Sequence, residues 1–198
     1  MLLPRLFRVA RRRLPTFSYA VLSACCITAA AAAAEPSVAT VSAKYGVTGL
    51  FQPDREQDLR TVFATLPQIR LVGIDYENAE IEVEYDPTKL WPGQKPGKFL
   101  ELFDGQLRTA SRQTFGVKAL RTVPLDKLTR IEIPIFGLDC KGCSYAAYGL
   151  IYKLPGVDHA TVSFKSGKII ALIDPEKVKR EDLEAALKKG GAHLTPTE

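Results

Sequence analysis

Two cysteines separated by two residues, Cys140 and Cys143, are the side chains here whose type and spacing most directly offer chemistry. Thiolates are soft ligands, and two at one locus suit Cu(I), Hg(II), Zn(II) or Cd(II). A pair alone favours low coordination and easy release over the closed four-ligand cage of a structural zinc site. The same spacing at a helix start also serves thiol–disulfide exchange, and outside the cytoplasm the pair can close as a structural disulfide. Both alternatives stay open on the residues. Catalytic schemes find little support. The chain has two histidines, His159 and His193, and no Ser/His/Asp set, phosphate loop or paired-carboxylate pattern stands out. The expectation is a binding protein and not an enzyme.

The elements around the pair can be read from periodicity. Ile131, Ile133 and Ile135 alternate with Arg130, Glu132 and Pro134, which predicts a half-buried strand before the cysteines. Ala146, Ala147, Leu150, Ile151 and Leu154 fall on one face of a helix after them, stopped by Pro155-Gly156. Ala160, Val162 and Phe164, then Ile169, Ala171 and Ile173, predict a hairpin about Ser166-Gly167. Leu183, Ala186 and Leu187 mark a second helix ending at Gly190-Gly191, and a short last strand is expected near Ala192 to Thr195. Cys143 would sit at or near the start of the first of these helices, where free N–H groups and the dipole favour a thiolate, with Cys140 on the preceding loop, its sulfur turned toward the same point. Gly142 would supply an unusual backbone angle between the sulfurs. His193 is a candidate third ligand, or a hydrogen-bond partner of one, against the reading of a solvated loop histidine. His159 is expected on the surface, in a loop at the far end of the unit.

The same pattern occurs earlier in the chain. At an offset of 88 residues, Gly49-Leu50 matches Gly137-Leu138, Leu66-Pro67 matches Leu154-Pro155, and Asp86-Pro87 matches Asp174-Pro175, all without a gap. The apolar positions agree in the same register: Ile69 with Val157, Ile74 with Val162, and Ile81 with Ile169. Two copies of one β-α-β-β-α-β unit are therefore expected, an α+β architecture of tandem ferredoxin-like domains. The first copy would span 38–120, a linker 121–128, and the second copy 129–196. From Pro87 to Gly116 is 29 residues against 16 from Pro175 to Gly191, so an irregular insertion is expected around Trp91-Pro92-Gly93 and Pro96-Gly97. Each unit is small for a lone core, so the two are expected to pack together. Glu80, Glu82 and Glu84 alternate with Ile81, Val83 and Tyr85 and are read as the solvated face of a strand, with an oxygen-ligand cation site as the lesser alternative.

Residues 1–34 stand outside this pattern. Arg5, Arg8, Arg11, Arg12 and Arg13 precede an apolar run from about Phe17 to Ile27 and an alanine run from Ala29 to Ala34, which together read as a secretory signal peptide. The chain is then expected in the periplasm or secreted. Leu22-Ser23-Ala24-Cys25 resembles a bacterial lipoprotein box, so anchoring to a membrane through Cys25 is the alternative, with an uncleaved leader as a further one. The apolar stretch continuing past Cys25 argues against lipidation. Cys25 and Cys26 otherwise belong to the leader. The whole chain carries 27 basic and 22 acidic residues; without the five arginines of the leader the two balance. The basic pI thus belongs to the leader, and no nucleic acid partner is expected.

On these residues the second copy resembles the heavy-metal-associated domain family of copper chaperones, metal-pump N-terminal domains and periplasmic mercury-binding proteins. The family's G-M-x-C-x-x-C loop matches Gly137 to Cys143 with Leu138 in place of Met, its L-P-G-V matches Leu154 to Val157, and its D-P matches Asp174-Pro175. The match runs from about Thr129 to Pro196. It implies metal binding by Cys140 and Cys143, with Cu(I) the leading candidate and Hg(II) or Zn(II) the others, and handover by ligand exchange to a metal-transporting or metal-accepting protein. A redox protein of the thioredoxin kind is disfavoured, because such a unit is larger and differently ordered. Ala192 stands where the family often carries an aromatic residue or Lys. In the first copy the two cysteine positions are Gln52 and Arg55, so that copy is expected to be degenerate and to bind no metal in this way.

Overall fold

Alternating apolar residues place one face of each strand against helices and leave the other face half-exposed. A computed structural model describes residues 40–196. The leader, Cys25 and their processing lie outside the described residues. The described residues form one compact unit of mixed helix and sheet.

The first half runs β1 (Val41–Thr48), α1 (Arg55–Phe63), β2 (Ile69–Asp75), β3 (Glu80–Tyr85), a four-residue α2 (Pro87–Leu90), α3 (Phe99–Ala110) and β4 (Gly116–Lys118). Its antiparallel sheet has the order β2-β3-β1-β4. The stretch expected to be irregular is partly regular: α2 opens under an N-terminal cap, Asp86 accepting from the Thr88 N–H at 3.0 Å, and a 3-10 turn over Pro96–Lys98 leads into α3. Leu59, Phe63, Ile81, Val83, Phe103, Leu107 and Phe115 fill the core between sheet and helices.

The second half runs β5 (Thr129–Pro134), α4 (Lys141–Ile151), β6 (Val157–Ser163), β7 (Lys168–Ile173) and α5 (Arg180–Lys189), with the sheet order β5-β7-β6. The bounds of β2 and β3, moved by 88 residues, coincide with those of β6 and β7. The last strand expected near Ala192 to Thr195 is reduced to one bridge, Phe136 with His193. Pro196, which has no N–H to donate, limits any further ladder. Ile133, Ile151, Val162, Ile169, Leu183 and Leu187 form this half's core, and one residue of the first half, Phe51, joins them.

Phe51 is 2% exposed and lies against the rings of Tyr145 and Tyr148, each 5.6 Å away centre to centre. Its carbonyl accepts from the Val162 N–H at 2.8 Å, which covers part of the free edge of β6. The Gly49 N–H donates to the Tyr148 hydroxyl at 2.9 Å, and the Tyr145 hydroxyl donates to the Gln113 carbonyl at 3.0 Å. α4 is thus held on two sides. Ser144, Ala147 and Ile151 are buried in the second half, while Lys141, Tyr145 and Tyr148 reach the first. Ala146, expected on the buried face, is exposed.

The far end of the interface corrects the reading of His159. It lies on β6, half-buried, and meets the Tyr76 ring edge-on at 6.5 Å. The first half packs over this end, which a reading of the second half in isolation could not include. Arg121, which follows the first half's last strand, pairs with Glu80 and Asp158, each at 3.3 Å. The Glu80, Glu82 and Glu84 stripe is likewise partnered: Glu80 by Arg121, Glu82 by the Ser42 hydroxyl at 3.0 Å, and Glu84 by Arg70.

Burial, and then the charges of Lys118 and Arg121, push the His159 imidazole down from its usual 6.5 to about 4. The folded protein then binds fewer protons than the unfolded chain between those values. His159 contributes stability that is full above pH 6.5 and is lost as pH falls toward 4. Urea midpoints measured across that window should drop with acid in the parent chain and drop less in His159→Gln. Equal slopes would exclude this role.

Candidate metal centre

Gly137 makes the turn from β5 toward the cysteines. Its φ is +73°, in the region that side chains avoid, and Gly49, 88 residues earlier, has φ +96°. Gly142, expected to hold the unusual angle, does not: α4 already begins at Lys141, so Gly142 takes part in its first turn.

The cysteines lie as expected about the helix start, Cys140 before it and Cys143 in its first turn. Cys140 is the N-terminal cap of α4, and its Sγ accepts from the Cys143 N–H at 3.2 Å. Cys143 is the third residue of the helix. A free helix-end N–H therefore serves Cys140. The Cys143 thiol first, and then this N–H, hold the Cys140 thiol below its usual range, against small opposing effects of desolvation and of Asp139. The two sulfurs face each other at one locus, and both cysteines are free thiols. Cys140 is exposed and Cys143 half-exposed, so an ion or a partner's ligand can reach the pair.

The pair is what the structure brings together. His193 is exposed, and its backbone bridges to Phe136 beside the loop. It does not join the sulfurs in a cluster: among the described residues, no group of three or more His, Cys, Asp or Glu side chains could hold a metal ion. In the first half, the corresponding positions are filled differently. Gln52 is buried, and the Arg55 guanidinium lies 5.4 Å from the Phe51 ring centre and 4.6 Å from that of Phe115. Neither offers a soft ligand.

Sequence reading missed two features near the site. Lys141, between the cysteines, reaches across to Asp54 at 2.6 Å and Asp58 at 3.8 Å. Tyr145, Tyr148 and Tyr152 stack along α4, with Tyr148 and Tyr152 4.6 Å apart centre to centre. Their spacing of three and four residues was the available signal, since a second apolar stripe beside the core face marks a second packing partner.

Residues 132–193 match the heavy-metal-associated domain family. Copper-transporting ATPase 2 of Homo sapiens is 28% identical over an alignment of 138 residues that covers 62% of this chain; the chain spans only 9% of that protein's length. Among solved structures, the N-terminal domain of ZntA in its apo form is 28% identical, with a TM-score of 0.32, over 36% of this chain and 94% of that one. The N-terminal soluble domains of Bacillus subtilis CopA are 16% identical, with a TM-score of 0.33, over 79% and 92%. With Cys140 and Cys143 both inside the matched span, residues 132–193 of this chain carry one heavy-metal-associated domain.

Proposed function

We propose that this chain is an exported metal-ion carrier without enzymatic activity, and that Cys140 and Cys143 hold one soft cation for delivery, buffering or detoxification. Cu(I) is the first candidate, with Hg(II) and Zn(II) behind it. The observation that carries the reading is the placement of two accessible free thiols side by side at the head of α4, inside the matched domain. The lowered Cys140 thiol supports it, because the thiolate is the ligand form. Two thiolates without a third ligand leave an open site suited to exchange with a metal-transporting or metal-accepting protein. The basic, apolar, alanine-ended leader supports export to the periplasm or beyond.

The first half, in this reading, is a degenerate copy of the same domain, the two copies spanning 38–120 and 129–196. Support comes from the strand bounds that coincide at 88 residues and from the paired positive φ of Gly49 and Gly137. Having lost its ligands, that copy serves as a packing partner for the second.

Anaerobic titration of the reduced chain with Cu(I), Zn(II) and Hg(II) against a chelator tests the reading. One equivalent retained against the chelator is expected, and no ion retained would overturn it. The nearness of the sulfurs also favours a thiol–disulfide reading, which the reduction potential of the pair separates. A strongly reducing potential with no metal retained would select a structural disulfide.

A further inference from the structure

The strand β7 is apolar on both faces, although its counterpart in the first half is not. In β3, Ile81, Val83 and Tyr85 face the core and alternate with Glu80, Glu82 and Glu84 on the outer face. At an offset of 88 residues, β7 keeps the core-facing set as Ile169, Ala171 and Ile173, but carries Ile170 and Leu172 at the positions of Glu82 and Glu84. A sheet of this kind accepts charge at those two positions, so the fold does not require them to be apolar. A continuous apolar run is the pattern of a strand covered on both faces. Yet Ile170 and Leu172 are only half-buried, on the floor of a cleft of about 1040 Å³ between the two halves. Register sets Leu172 opposite His159 and Ile170 opposite Thr161 on β6. The first half supplies the walls, with the turn Tyr76 to Asn78 on one stretch and Gln52 to Asp54 on another. A concave, apolar-floored cleft of this size at a seam between halves has the form of a small-molecule site.

Charge narrows the class of ligand. Arg130, on the β5 side of the cleft, shares the single carboxylate of Glu132 with Lys168. Lys141 and Asp54, which also line the cleft, satisfy each other. Lys165 is exposed where the cleft reaches the turn between β6 and β7, and has no carboxylate partner among the described residues. The remaining acid, Glu77, stands at the other end, next to the Tyr76 ring that meets His159. The cleft is therefore apolar along its floor and cationic at its turn end. We propose that it binds a small amphipathic anion, with the apolar body over Ile170 and Leu172 and the anionic group at Lys165. The site uses neither Cys140 nor Cys143, so it stands or falls apart from the metal reading.

Dodecanoate, kept below its micelle concentration, is the probe, and amide shifts of the full chain in nitrogen-15 NMR locate it. Saturable shifts are expected in β6, β7 and the Tyr76 to Asn78 turn. Ile170→Glu/Leu172→Glu should weaken binding by about tenfold or more, because it removes the apolar floor and repels the anion. Lys165→Ala should weaken it roughly two- to fivefold, the range of an exposed charge. Dodecyltrimethylammonium, which has the same body and the opposite charge, should bind less tightly than dodecanoate. The spectrum of each variant without probe reports its fold, and the exposed Lys165 position and the cationic probe keep the test decisive should the double variant fail to fold. Absence of saturable shifts, shifts outside the cleft, or equal binding by a folded double variant would overturn the site. A cation bound as tightly as the anion, or no loss in Lys165→Ala, would overturn the assignment of an anionic ligand.

Discussion

Replacing Phe51 with alanine is expected to destabilise the second half by about 3–5 kcal/mol, although Phe51 lies in the first. Its neighbour Leu50 belongs to the first half's core, whereas Phe51 belongs to the core built by Ile133, Val162 and Leu187. Truncation leaves a void beside Tyr145 and Tyr148 that the flanking backbone cannot close, because Gly49 and Val162 remain pinned by hydrogen bonds. Hydrogen exchange of the β6 and β7 amides under increasing urea would read the second half. Trp91, the single tryptophan, reports the first half by fluorescence. The expected pattern is a large loss of protection in β6 and β7 with a smaller shift in the Trp91 transition. A loss below about 1 kcal/mol in the second half would show that Phe51 does not belong to its core.

Substituting either cysteine with serine is expected to weaken Cu(I) binding by at least a hundredfold, about 2.7 kcal/mol. A serine hydroxyl is a hard, neutral oxygen at this pH and does not replace a thiolate for a soft ion. Cys140→Ser and Cys143→Ser should fall together, since each leaves a single thiolate. His193→Ala, by contrast, should bind within about threefold of the parent, because the exposed histidine stands outside the sulfur pair. Chelator competition measures all three. Retention of affinity in either serine variant would place the ion elsewhere.

Much of the local structure was legible because strand and helix periodicities are strong here. The pattern Ile131-Ile133-Ile135 and the hairpin about Ser166-Gly167 were readable from alternation alone, and the spacing of the cysteines marked the candidate site. Details that depend on where a helix begins were not. Spacing did not show that the Cys140 sulfur accepts the Cys143 N–H, or that Gly142 is an ordinary helical residue. The relation between halves was least accessible. Nothing in the sequence marks Phe51 as a core residue of the other half, and His159 reads as a loop residue, because each is defined by a partner some 80 to 110 residues away. The tyrosines at positions 145, 148 and 152 carried the missing signal. The corresponding residues of the first half, Gln57, Arg60 and Ala64, form no such stripe, which is why one helix faces water and the other faces a neighbour.

X-ray absorption at the copper edge of the Cu(I)-loaded chain would observe the ligands themselves. A first shell made of sulfur alone, from two donors, is the expected result, with that shell lost in Cys140→Ser/Cys143→Ser. A shell of nitrogen or oxygen donors that persists in the double variant would contradict metal binding by Cys140 and Cys143.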